Sequence, residues 1–265
     1  MKTSWGIFTA ALIGLTALLL SPLTRDVPEI AQLQGALGID TNPLPDFAQY
    51  NDVRQKKQAF FGYLQPMVRA SNQRILQERR RVLAMAATVS DQWGYADQRL
   101  LEGLAKYYEV DTGIAAEAQL KELLLRVDIV PASLALSQAA MESAWGTSRF
   151  ALEGNNLFGQ WCYQAGCGIV PARRSEGQVH EVASFTNVAE AVASYMRNIN
   201  SHPAYAGLRA ARAGLRESGE SISGHAMAEH LLRYSEQGHA YVEEIQSMIR
   251  INKLATLDQA PLIQT

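Results

Sequence analysis

Excess charge of either sign is missing from this sequence: 24 Lys and Arg stand against 26 Asp and Glu, for a net of −2. Without a basic face, nucleic-acid binding is not expected. The one basic run, Arg79 to Arg81, lies in a helical pattern and reads as a solvated face. Histidine motifs for metal are also missing. The five histidines show no H-E-x-x-H spacing, and His225 and His230 are out of helical register for shared ligation. There is no G-x-S-x-G and no phosphate-cradling glycine loop, so neither a serine hydrolase elbow nor a nucleotide site is expected. No cofactor and no metal are expected. Cysteine is scarce, with Cys162 and Cys167 alone in the chain. C-x4-C is too few ligands for a metal site. Internal repeats and low-complexity tracts are absent as well.

Apolar residues make up 48% of the 265 positions, enough for one large domain or one domain with an accessory segment. Lys2 precedes a long apolar run closed by Pro22, followed by Arg25 and Asp26. A short positive start and an apolar centre fit an export signal. The run also approaches the roughly 17–25 residues that span a bilayer, so an uncleaved inner-membrane anchor is the alternative. Both place the remaining chain outside the cytoplasm, in the periplasm or on the inner membrane facing it. In such an oxidising compartment Cys162 and Cys167 are a candidate disulfide closing a small loop.

The expected organisation is a signal or anchor at 1–23, a linker at 24–45, an N-terminal helical region at 46–112, a second domain at 113–255 and a tail at 256–265. Asp46 is a candidate cap for a long helix that Pro66 should kink or divide. Shorter helices are expected around 96–108 and 114–126. Another opens at Pro131, which suits a first turn, and ends at Gly146. A short hairpin turning near Ser175 to Gly177 follows. Asn187, with Glu190 three residues on, starts the first of four helices at about 188–199, 205–216, 224–233 and 240–250. The fold class is mainly α, a helical bundle with one small β-hairpin lobe.

Within the helix after Pro131, Glu142 sits among Ala139, Ala140, Met141, Ala144 and Trp145. A carboxylate buried in such surroundings must be paired or must favour its neutral form. The negative end of its own helix disfavours its charge further. A carboxyl that keeps its proton near neutral pH is what a general acid requires. An ion-paired glutamate on a solvated helix end is the plainer alternative.

The motifs LSQAAMESAWG (Leu136 to Gly146), NNLFG (Asn155 to Gly159) and RYSEQGHAY (Arg233 to Tyr241) occur in that order. Together they resemble the endo-β-N-acetylglucosaminidase domain of peptidoglycan hydrolases, the family that includes flagellar cell-wall hydrolases. Lys56 to Val68 adds a softer likeness to its bacterial Bax-type branch. The resemblance covers roughly 113–252. It implies a lysozyme-like fold, with a cleft between the bundle and the β-lobe. It also implies cleavage of β-1,4 bonds after N-acetylglucosamine in peptidoglycan glycan strands. By the same resemblance Glu142 is the catalytic acid, while Asn155, Asn156 and Phe158 line the cleft, with Trp145 beside them. Tyr234 reaches into the cleft as a second catalytic group, and Tyr241 matches the motif's second tyrosine. The motif carries one extra residue here and lacks an Asp-Pro, so Tyr241 is assigned to packing before function. Ordinary Asx turns and core packing are the alternatives for Asn155, Asn156 and Phe158.

Two carboxyls are usual in glycoside hydrolysis. Some relatives carry the second on the β-hairpin, near the position of Ala172 or Arg173 here, where no acid stands. Glu181 on the return strand, Glu176 at the turn, and the substrate's own acetamido group remain the candidates. Two rival functions share the expected fold: a lytic transglycosylase, and a peptidoglycan-binding scaffold without activity.

Overall fold

The computed structural model describes residues 43–172, 174 and 177–258. The expected export segment, most of the linker, Glu176 and most of the tail lie outside them. Among the described residues no helix is long and apolar enough to cross a membrane.

The first long element, α1 (Val53–Ala86), is a single helix of 34 residues. Asp52 caps it, its Oδ1 accepting from the Gln55 amide at 2.8 Å. Asp46 instead caps a short 3-10 turn, Phe47–Gln49. Of the two outcomes expected at Pro66, division of the helix does not occur. Phe60, Leu64, Met67, Val68, Ile75 and Val82 recur at helical spacing on the buried side, and their burial outweighs the one backbone hydrogen bond that proline removes. Helices α2 (Tyr95–Tyr107), α3 (Ala116–Arg126) and α4 (Ala132–Glu142) follow. A short α5 (Arg149–Gly154), not anticipated from the sequence, precedes the β-lobe. After the lobe come α6 (Val188–Ser201), α7 (Ala206–Ser218), α8 (Gly224–Ala228) and α9 (His239–Ile251), then a 3-10 turn, Leu254–Leu257.

Helix α1 packs against α3, α4 and α6, so one continuous core runs from Phe47 to Leu254. Two polar clamps fix the start of α4. Asn72 on α1 donates to the Val130 carbonyl at 2.8 Å and accepts from its amide at 3.0 Å. Asp258 accepts from the amide and hydroxyl of Ser133 and from the Gly224 amide. A side chain at Gly224 would stand 2.1 Å from the Ser133 hydroxyl, so only glycine lets α8 approach α4 this closely. The buried Arg212 donates to the carbonyls of Leu125, Arg126, Asp128 and Ile129, satisfying the chain end of α3.

The β-lobe is a three-stranded antiparallel sheet in the order β1-β3-β2: β1 (Trp161–Cys162), β2 (Gly168–Ile169) and β3 (Glu181–Ala183). It holds one strand more than the expected hairpin, because Trp161 pairs with Val182 while Gly168 pairs with Ala183 on the other edge. Cys162 and Cys167 are joined in a disulfide, with Cα atoms 6.2 Å apart, which staples β1 to the start of β2. The architecture is the mainly α, lysozyme-like bundle with a small β-lobe that the sequence resemblance implied.

Candidate active site

Helix α4 stops at Glu142, four residues before Gly146, where the sequence suggested it would end. Ala144, Trp145 and Gly146 all adopt positive φ, at 50°, 61° and 75°. Two consecutive non-glycine residues there are strained, and such strain persists only where surrounding structure holds it. Three contacts do so. The Ser143 hydroxyl donates to the Ala139 carbonyl at 2.6 Å and accepts from the Gly146 amide at 2.8 Å. Trp145 packs edge-on to Phe60 and Phe61, with the Lys57 ammonium 5.0 Å above its ring. Phe47 lies where any side chain at Gly146 would be, 2.6 Å from the position of its Cβ. The N-terminal helix thus props the turn that follows the candidate acid. Trp145 is held by α1 and is not a free sugar platform.

The Glu142 carboxyl is half-buried, and burial raises its pKa above the ordinary glutamate value. The Tyr241 hydroxyl donates to its Oε1 at 2.8 Å and opposes that rise. The other oxygen, Oε2, faces the Asn-Asn-Leu-Phe-Gly segment, 3.2 Å from where a Cβ on Gly159 would stand. The structure therefore brings together Glu142 and this segment, which the sequence could only align.

Within the segment the roles differ from those expected. Asn155 caps α5 in the left-handed region and donates to the Phe185 carbonyl at 2.9 Å. Asn156 is 1% exposed. It donates to the Gln160 and Ala183 carbonyls and accepts from the Phe158 and Gln160 amides, which leaves nothing for a sugar. Phe158 is also 1% exposed and stacks on Tyr195, with centroids 4.1 Å apart. Asn156 and Phe158 are the frame of the loop, buried against it with neither an open amide nor an open ring face. The Gln160 side chain ties that frame to α6 through the Ala191 carbonyl and the Ser194 hydroxyl.

Glu181 requires a correction too. It is 6% exposed and points into the disulfide loop, accepting from the Gly166 and Gly168 amides at 3.0 and 2.8 Å. These two N–H groups, the Gly166 one foremost, hold its pKa below the ordinary range. A carboxylate so engaged organises the loop and is not an acid or base across a cleft. The cysteine sulfurs lie within 4.8 Å of it, but bridged sulfur is not the thiolate a metal needs.

Of the two tyrosines, Tyr241 and not Tyr234 hydrogen-bonds Glu142. Helix α8 ends at Ala228, short of the expected 233, and the following turns carry Tyr234 inward. Its hydroxyl donates to the Phe158 carbonyl at 2.8 Å, and its ring stacks on Tyr241 at 5.5 Å. Tyr241, assigned to packing, is the residue that touches Glu142. Gln138 and Tyr195 were not anticipated. The Tyr195 hydroxyl donates to Gln138 Oε1 at 2.6 Å, and Gln138 Nε2 donates to the Tyr241 oxygen at 2.9 Å. A signal existed: Gln138 is polar, lies in the apolar run and stands one helical turn before Glu142.

A helical bundle with a small β-lobe, and a half-buried glutamate facing a glycine-ended loop between them, is the layout of a glucosaminidase domain. The family model described as Mannosyl-glycoprotein endo-beta-N-acetylglucosaminidase matches residues 117–254, and the chain belongs to this family. It is 34% identical over 214 residues to "Protein bax" of Escherichia coli strain K12, covering 80% of this chain and 76% of that one. No solved structure matches.

Proposed function

We propose that this protein is an exported peptidoglycan hydrolase that cleaves the β-1,4 bond after N-acetylglucosamine, with Glu142 as general acid. The observation that carries this reading is the Glu142 carboxyl itself. It is half-buried at a helix end, with one oxygen on Tyr241 and the other beside Gly159. Family membership supports a glycosidase acting on cell-wall glycan.

With Glu181 committed to the loop amides, we assign the attack at the anomeric carbon to the substrate's acetamido oxygen. As that oxygen bonds to C1, the C1–O4 bond breaks and O4 takes the Glu142 proton. Water then opens the oxazolinium ring, and Glu142 recovers its proton. The same engagement of Glu181 favours one second reading, lytic transglycosylation, in which the muramyl 6-hydroxyl attacks within the strand.

Digestion of purified sacculi, followed by mass analysis of the products, separates the readings. Reducing N-acetylglucosamine ends are expected. Anhydro-muramyl ends would replace hydrolase by transglycosylase, and no digestion at any pH would leave a binding scaffold. Glu142→Gln is expected to lower turnover about 10²-fold or more. The apolar run after Lys2 and the Cys162–Cys167 bridge support export. Intact mass of the protein from a membrane fraction distinguishes a retained anchor from a cleaved signal.

A further inference from the structure

Three hydrogen bonds form a directed chain beneath the candidate acid. Tyr195 on α6 donates to Gln138 Oε1, Gln138 on α4 donates to the Tyr241 oxygen, and Tyr241 on α9 donates to Glu142 Oε1. Gln138 and Tyr195 are 0% exposed, so their polar atoms are shut off from bulk solvent. The direction is set at the buried end. An amide whose oxygen is taken by Tyr195 presents its NH2 to Tyr241. A hydroxyl whose oxygen receives that N–H sends its own proton onward.

We propose that Gln138 is a positioning residue that, by holding Tyr241 as a donor to Glu142 Oε1, confines the transferable proton of Glu142 to Oε2, the oxygen beside Gly159. A protonated carboxyl has one acceptor oxygen and one hydroxyl. If Oε1 must accept, Oε2 carries the hydrogen, and Oε2 is the oxygen on the side of the Asn-Asn-Leu-Phe-Gly loop. Reversal of the chain would turn the proton toward Tyr241, away from that loop. The inference rests on Glu142 being the acid of the proposed reaction.

The titratable groups that face Glu142 from the packed elements are Tyr195 on α6, Tyr205 before α7, Tyr234 before α9 and Tyr241 on α9. On the α1 side stands Lys57, above Trp145. Burial pushes all four phenols up, Tyr205 to about 12, so they stay neutral while Glu142 titrates. A change in the Glu142 titration upon altering Gln138 is therefore not a change in the charge of a neighbouring phenol.

The test reads Glu142 by carboxyl 13C NMR titration and, in parallel, the pH profile of sacculus digestion. Gln138→Met keeps length and removes both amide functions. Tyr241 is then free to accept from Glu142, the neutral form gains a partner, and its pKa rises. Turnover is expected to fall about tenfold with KM nearly unchanged. Tyr195→Phe, which frees the amide to turn over, shifts the pKa in the same direction by less and serves where Gln138→Met folds poorly. In a Tyr241→Phe background, Gln138→Met should add nothing to the pKa, because the group it acts through is gone. Full additivity, or a native Glu142 titration in Gln138→Met and Tyr195→Phe, overturns the inference. Wild-type protein that digests no sacculus overturns the hydrolase reading instead, while the titration still reports on the chain.

Discussion

Gly159 stands against Glu142: a Cβ on Gly159 would lie 3.2 Å from Glu142 Oε2, and the Gly159 backbone is left-handed at φ 62°. One substitution therefore disturbs the candidate acid at the oxygen that faces the loop. Gly159→Ala is expected to lower stability by about 1–2 kcal/mol through the left-handed backbone. It should lower turnover about tenfold or more by displacing Oε2. Thermal unfolding and sacculus digestion measure the two effects separately. Native turnover in a well-folded Gly159→Ala protein would mean that the reacting atoms do not meet Oε2.

Glu142 also makes a prediction about stability against pH. Burial raises its folded pKa above the unfolded one, so the native state holds the proton more tightly. Its contribution is fully present below the unfolded value and is lost as pH rises through the folded value. Glu142→Gln keeps an acceptor for Tyr241 and removes this titration. The Tm of Glu142→Gln relative to wild type should therefore climb as pH rises from about 4 to 8, the carboxylate range. A gap that is constant or closes with rising pH would show that burial does not penalise the Glu142 charge.

Glu142 was legible because a charge inside an apolar run has few explanations, and the helix frame followed from period and caps. The roles around it were not legible. Asn156 and Phe158 occupy a loop where an amide meets backbone as readily as a sugar, and only their full burial and saturated hydrogen bonds decide. Pro66 argued for a kinked or divided helix, and α1 is not divided because its buried stripe lies on both sides. Tyr234 and Tyr241 share one motif, and an inserted residue leaves no local signal for which ring turns to Glu142. The strained Ala144–Trp145 pair depends on Phe47, Phe60 and Phe61, residues far away in sequence that no local pattern connects to it.

If Asn156 frames the loop, its loss should register first in stability. Asn156→Ala strands the Phe158 and Gln160 amides and takes one donor each from the Gln160 and Ala183 carbonyls, of which Gln160 keeps the Ala183 amide. The expected loss is about 2–4 kcal/mol by chemical denaturation. Activity at a temperature where the variant remains folded should fall through turnover, because Gly159 shifts against Glu142. A variant with native stability and only a raised KM would return Asn156 to the role of a sugar ligand.

Glu181 offers the sharpest separation between a catalytic and an organising carboxylate. Its oxygens accept from Gly166, inside the loop closed by Cys162 and Cys167, and from Gly168 just beyond it. Glu181→Gln presents one acceptor where there were two and turns an amide donor toward a backbone N–H. The loop should loosen, and the disulfide should become easier to reduce, which thiol titration against a dithiol gradient would read. Turnover on sacculi with the bridge intact should stay within about threefold of wild type. A general base or nucleophile would instead cost about 10²-fold or more on removal. The acid limb gives an independent reading. The folded Glu181 pKa is depressed, so its contribution to stability is present above the unfolded value and is lost as pH falls through the folded one. Wild type should therefore lose more stability than Glu181→Gln on acidification below about pH 4, while the shape of the activity profile near neutrality is the same in both. A collapse of turnover with the loop and bridge undisturbed would restore Glu181 as the second carboxyl and remove the need for the substrate's acetamido group.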